Sequence, residues 1–133
     1  MALKETLAIG PAGVEVETEF DGAEGRVRVR GTTTFQQATL LGTRIMALAR
    51  ERGVRRLLMN LLELGIEHQP SLGERYFMAR DWAAAGAGAV RVAMVVQPFL
   101  IDPRKFGILA ARNAGLICDV FSDEAQAREW LNN

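Results

Sequence analysis

From position 14 the chain alternates. Val14, Val16, Thr18 and Phe20 are interleaved with Glu15, Glu17 and Glu19, and a period of two predicts a strand with one buried face. Asp21-Gly22-Ala23-Glu24-Gly25 supplies turn chemistry. Beyond it, Val27 and Val29 alternate with Arg26, Arg28 and Arg30. Placing Glu19 opposite Arg26 sets Glu17 against Arg28 and Glu15 against Arg30. The same register brings Thr18 to Val27 and Val16 to Val29. One antiparallel pairing therefore satisfies both faces. It predicts opposite charges paired on the outside, each pair adding roughly 0.2–1 kcal/mol. A solvated face explains these glutamates better than a metal cluster does.

The period then lengthens. Hydroxyls at Thr32, Thr33 and Thr34 offer a cap, and the spacing predicts a helix over 35–52 with Ala38, Leu41, Ile45, Leu48 and Ala49 on one face. Gly53 stops it. Arg50 and Arg52 complement the negative helix end, and with Arg55 and Arg56 they read as a solvated basic turn. Residues 57–62 are a nearly unbroken apolar run, as in a strand covered on both sides. A loop over 63–70 leads to Ser71-Leu72-Gly73-Glu74, a capping box that opens a helix to about residue 85. Gly86-Ala87-Gly88 breaks that helix, and 90–96 is a second buried strand. Asp102-Pro103 marks another helix start, closing at Asn113-Ala114-Gly115. A third apolar strand spans 117–121, and Ser122 or Asp123 caps a last helix ending near Trp130-Leu131. The order is β-β-α-β-α-β-α-β-α. It predicts an α/β domain with a mixed, mainly parallel sheet, an N-terminal antiparallel hairpin and right-handed crossovers.

Composition narrows the classes. The 133 residues suit one domain, 1–133, with a core from about 14 to 131. Sixteen basic and sixteen acidic residues cancel, so no basic field favours nucleic acid. The single cysteine, Cys118, can form no internal disulfide and suits a reducing compartment. Mid-strand in an apolar run, it reads as an inert core thiol. Residues 1–5 lack a signal-peptide pattern, and the apolar stretch over 82–96 is interrupted by Arg91. The expectation is a cytoplasmic protein without stable membrane insertion.

Few motifs carry chemistry. Gly86-Ala87-Gly88 closes a helix and precedes a strand, whereas phosphate-binding glycines follow a strand and open a helix. Ser71 and His68 are near neighbours, but no nucleophile elbow surrounds Ser71, which already serves as a cap. His68 with Glu63 or Glu67 has no metal-ligand spacing, and it is the only histidine. No catalytic residue, metal site or cofactor is expected. The helix after Ser71 is more telling. Leu72, Tyr76, Ala79 and Ala83 form one stripe, and Phe77, Met78 and Trp82 spread beyond it. Wider core contact, a homodimer surface and the wall of an apolar pocket all fit that distribution.

The hairpin, the first helix, Leu57-Leu58-Met59-Asn60-Leu61 and Pro70-Ser71-Leu72-Gly73-Glu74-Arg75-Tyr76 together resemble the small bacterial STAS/SEC14-like proteins, relatives of the sporulation anti-sigma-factor antagonist (SpoIIAA-like). Arg91-Val92-Ala93-Met94-Val95-Val96, Ala111-Arg112-Asn113-Ala114-Gly115-Leu116 and Val120-Phe121-Ser122-Asp123-Glu124-Ala125 extend the similarity to about Leu131. Element order and the closing segment carry it. The resemblance implies a sheet flanked by helices and no catalytic centre. It also implies a phosphorylatable residue at the place of Ser71, although Pro70 precedes it where the family usually has an aspartate.

Two functional readings follow. The first is a non-catalytic regulatory or protein-binding module whose working edge is the strand-to-helix loops, with Glu63, His68, Ser71, Glu74, Phe99, Arg104 and Lys105 as contact residues and Ser71 as a phosphorylation site. The second is a carrier of a small apolar or amphipathic, lipid-like ligand. There Tyr76, Phe77, Met78, Trp82, Phe99 and Phe106 line the pocket, and Arg104 or Lys105 meets an acidic head.

Overall fold

The hairpin forms in the register its charges predict. In the computed structural model, which describes residues 3–133, three antiparallel strands open the chain: β1 (Leu3–Leu7), β2 (Val14–Asp21) and β3 (Glu24–Thr33). Met1 and Ala2, part of the stretch read as carrying no leader, lie outside the described residues. Between β2 and β3, Glu19 faces Arg26, Glu17 faces Arg28 and Glu15 faces Arg30. Val16, Thr18, Phe20, Val27 and Val29 are buried on the opposite face. Gly22 takes the positive φ of 59° that the tight turn requires.

Two expectations about this region need correction. The ion pairs do not form within the hairpin. Arg26 reaches Glu124 at 3.7 Å, Arg30 reaches Glu63 at 3.1 Å, and Glu17 meets Lys4 at 3.4 Å. These are surface pairs, worth under about 1 kcal/mol each. The element order also lacked β1. Glu5 and Leu7 lie on its inward-facing row, and the glutamate there hides the alternation. At the sheet edge that glutamate is tolerated because it lies 3.8 Å from Arg52, while its carbonyl accepts the hydroxyl of buried Thr18.

α1 (Phe35–Glu51) starts where the Thr34 hydroxyl accepts the N–H of Gln37. β4 (Arg56–Asn60) then pairs parallel to the first half of β3. The loop expected over 63–70 contains a further short strand, β5 (Leu64–Ile66), which pairs with the end of β3. Three residues with a central glycine are too short to show a period. The Asn60 side chain makes the break between β4 and β5, accepting the N–H of Leu62 and donating to Glu124. α2 (Leu72–Gly86), β6 (Arg91–Val95), α3 (Phe106–Asn113), β7 (Cys118–Phe121) and α4 (Glu124–Leu131) complete the chain, with one 3-10 turn at Pro98–Leu100. The last helix is capped by Asp123, one of the two residues expected.

Among the described residues seven strands and four α-helices form an α/β fold with a mixed sheet, ordered β1-β2-β3-β4-β6-β7 with β5 beside β3. From β3 onward each parallel strand is added in the same direction. Right-handed crossovers therefore place α1, α2 and α3 on one face. α4 covers the other face, where Ala127 and Leu131 meet Leu58, Ala93 and Val95.

The buried face of α2 differs from the expected stripe. Ala79, Trp82, Ala83 and Gly86 point inward, and Leu72 and Tyr76 are exposed. Small residues let α2 approach its neighbours closely, so they, not the aromatics, take the inner positions. Trp82 is the exception. Its indole lies flat against α1 at Gly42, where a Cβ would stand 2.1 Å from the ring, and its N–H donates to the Thr39 carbonyl at 3.1 Å.

Candidate functional site

Three helices packed through small residues on a curved sheet leave a space beneath them. A cavity of about 110 Å³ lies between α1, α2, α3 and the sheet. Met59, Met94, Cys118 and Val120 form its floor. Ala38 and Gly42 of α1, Met78, Ala79 and Trp82 of α2, and Ile108 of α3 form the walls. The lining is overwhelmingly apolar. Leu64, Ile66, Pro70, Leu100, Asp102 and Lys105 surround the end nearest the loops. These loops follow the carboxyl ends of β4, β6 and their neighbours, the edge at which open α/β sheets bind ligands.

The polar groups at this end are few and their states differ. Asp102 was read as a helix start, but α3 begins only at Phe106. Pro103 and Arg104 instead belong to a turn closed by the Asp102 carboxylate, which accepts the N–H groups of Arg104 and Phe106. Those bonds hold its pKa below the ordinary value, with the nearby Arg75 and Arg104 charges acting in the same direction. Lys105 sits at a positive φ of 50° and sends its ammonium to Asp119 at 2.8 Å, so its charge is already matched. Arg75 has no such match. One Nη donates to the Leu100 carbonyl at 2.9 Å, and no carboxylate lies within ion-pair distance of the guanidinium among the described residues. Burial pushes the Cys118 thiol on the floor up to about 11. At neutral pH it is an uncharged, weakly nucleophilic group.

The residues singled out from the sequence separate into two sets. Met78, Trp82 and Lys105 line the cavity. Tyr76, Phe77, Phe99 and Phe106 lie outside it, 42–61% exposed. Arg104 is exposed on the turn. Glu63 pairs with Arg30, and its carbonyl accepts the N–H of Gly31, so it fastens the loop to β3. Gln69 fastens the same loop to the 3-10 turn by donating to the Phe99 carbonyl. His68 is exposed beside this segment. Ser71 and Glu74 form the expected capping box. The Ser71 hydroxyl accepts the Glu74 N–H at 3.1 Å, and the Glu74 carboxylate accepts the Ser71 N–H at 2.9 Å. That backbone bond lowers the Glu74 pKa. A phosphate on Ser71 would gain the helix N-terminus but face the Glu74 carboxylate at close range.

Arg75 is the site residue that sequence reasoning passed over. Its signal was position: it stands one helical turn from the Ser71 cap, at the carboxyl edge, where a cation is not needed to complement the helix dipole. No described helix is long and apolar enough to cross a membrane. No protein-family model matches the chain, and no curated protein matches it. The fold and the cavity define the class: an α/β domain with an apolar pocket under the loops that follow its parallel strands.

Proposed function

We propose that this protein is a carrier of a small apolar or amphipathic ligand, bound in the cavity beneath α1, α2 and α3. The apolar lining at the carboxyl edge is the observation that carries the reading. In another protein an engineered apolar cavity of about 150 Å³ stays dry and binds benzene. A cavity of about 110 Å³ suits a ring or branched chain of similar size. Native mass spectrometry of freshly purified protein tests it, together with thermal unfolding in the presence of benzene. Retained adducts, or a melting temperature that rises with benzene in wild type but not in Ala38→Leu, support carriage. A clean apo mass from several expression hosts with no benzene-dependent shift overturns it.

A second reading is the non-catalytic regulatory or protein-binding module of the STAS/SEC14-like type. It is favoured by Leu72, Phe77 and Phe99, each more than half exposed around the exposed Ser71 cap. On this reading the partner is a cytoplasmic protein, and Ser71 is the modification site. Recovery of the same proteins from lysate by wild type and by Ser71→Asp plus Arg104→Glu sinks it. The tyrosine and phenylalanine on α2 would serve a homodimer equally well, which light scattering at high concentration decides. Neither reading assigns catalysis, a metal, a cofactor or a nucleic-acid partner.

A further inference from the structure

We infer that the ligand of the cavity is a small monocarboxylate, whose compact hydrocarbon fills the apolar space and whose carboxylate is taken by Arg75. The inference rests on the carrier reading and adds the head group. Arg75 is half-buried in the cavity lining, held in place by the bond from one Nη to the Leu100 carbonyl. The side chain is therefore anchored at one nitrogen, with the rest of its planar fork free of any hydrogen bond or ion pair among the described residues. A fork of this kind binds a carboxylate through two parallel, charge-assisted bonds.

The Asp102 charge reaches Arg75, but the other charged groups at this end leave the free part of the fork open. Both Asp102 oxygens already accept backbone N–H groups from the turn before α3, and Asp102 forms no ion pair with Arg75. The Lys105 ammonium is matched by Asp119. A guanidinium without a direct ion pair, anchored by one bond at the end of an apolar cavity, favours one negative charge on a short apolar body. The length available is small. With about 110 Å³ of space, an aryl ring or a branched chain of roughly five to seven heavy atoms fits, and a long acyl chain does not.

Calorimetric titration of the wild-type protein with phenylacetate, its neutral amide and benzylamine tests this at neutral pH. The expected result is phenylacetate binding roughly tenfold to a hundredfold more tightly than the amide, as charged hydrogen bonds allow, with benzylamine rejected. Arg75→Gln should abolish the preference for acid over amide, and Arg75→Lys should restore part of it. The acid-to-amide ratio in wild type needs no variant, so a folding defect in Arg75→Gln leaves the test intact. Equal binding of acid and amide overturns this inference and leaves the carrier reading standing. Binding of none of the three, with no benzene-dependent stabilisation either, overturns both.

Discussion

Replacing Gly42 by alanine should destabilise the protein, against the ordinary preference of helices. Alanine in a helix interior is favoured over glycine by about 0.9 kcal/mol. Here the new methyl would stand 2.1 Å from Cζ2, 2.3 Å from Cε2 and 2.6 Å from Nε1 of Trp82. Carbon atoms in good contact are separated by about 3.5–4.0 Å, so the indole would have to retreat by about 1.4 Å. Overpacking of this kind costs roughly 1–3 kcal/mol. The retreat also pulls the indole N–H from the Thr39 carbonyl, a buried bond at 3.1 Å, and an unpaired buried donor costs roughly a further 1–3 kcal/mol. After the helix gain is subtracted, a net loss of about 1–5 kcal/mol is expected, near 10 °C in melting temperature at the middle of that range for a domain of this size. Urea unfolding measures it as a lower midpoint at unchanged slope. A double-mutant cycle isolates the cause: in a Trp82→Leu background the same glycine change should cost little, giving a coupling above about 1.5 kcal/mol. If Gly42→Ala is as stable as wild type or more so, the close approach of α1 and α2 through Trp82 is wrong.

Other consequences are simpler to state. Arg91 donates to the carbonyls of Trp130 and Asn133 and lies 4.2 Å over the Trp130 ring, so Arg91→Gln should cost about 1–2 kcal/mol and speed amide exchange across residues 124–133 more than elsewhere; uniform exchange would argue against a clamp on α4. Ala87 ends α2 at a φ of 48°, in the left-handed region that glycine adopts freely, so Ala87→Gly should raise stability by about 0.5–1 kcal/mol in urea, and a loss would contradict that assignment. Glu74 and Asp102 both have folded pKa values below their ordinary ones. Their contribution is complete above the ordinary carboxylate range and disappears as pH falls through the lowered folded values. Acid titration of stability should therefore show Glu74→Gln converging with wild type at low pH; a gap that widens on acidification refutes the sign.

The sheet was legible where two signals coincided. In β2 and β3 the alternation chose the faces, and the run of glutamates against arginines chose the register. Glu17, Arg26 and Arg30 then found other partners, because pairing preference acts on the whole surface around a strand and not on one ladder. β1 was hidden by Glu5, an inward position that only an edge strand permits. α2 was misread for a related reason. Leu72 and Tyr76 shared a stripe with Ala79 and Ala83, but the distance between packed helices is set by the smallest residues that face each other. Ala79, Ala83 and Gly86 therefore decide where α2 lies, and Tyr76 and Phe77 fall outside. A cavity is a missing volume. It depends on the distances among three helices and a sheet, and no local pattern encodes it. Arg75 was illegible for the same reason: it became a site residue only when the fold brought it into the lining of the cavity, with one nitrogen on the Leu100 carbonyl.

The free energy of the void itself bears on the reading. The pocket is partly open to solvent, so about 24 cal/mol per Å³ over about 110 Å³, roughly 3 kcal/mol, is the upper bound on the cost of the empty space. A domain whose total stability is about 5–15 kcal/mol gives up a large share of it in this way. Filling the space is open to substitution: Ala38 on the wall and Cys118 on the floor could each carry a larger apolar side chain. A bound ligand restores the missing dispersion contacts reversibly and stabilises the folded state by mass action, about 2.7 kcal/mol at a hundred times its dissociation constant. This gain is of the size of that upper bound. A cavity-filling variant such as Ala38→Leu should therefore reproduce in the ligand-free protein the stability that the wild type reaches only when occupied, and lose the response to ligand as it does so. Stabilisation without loss of binding would show that the ligand occupies some other surface.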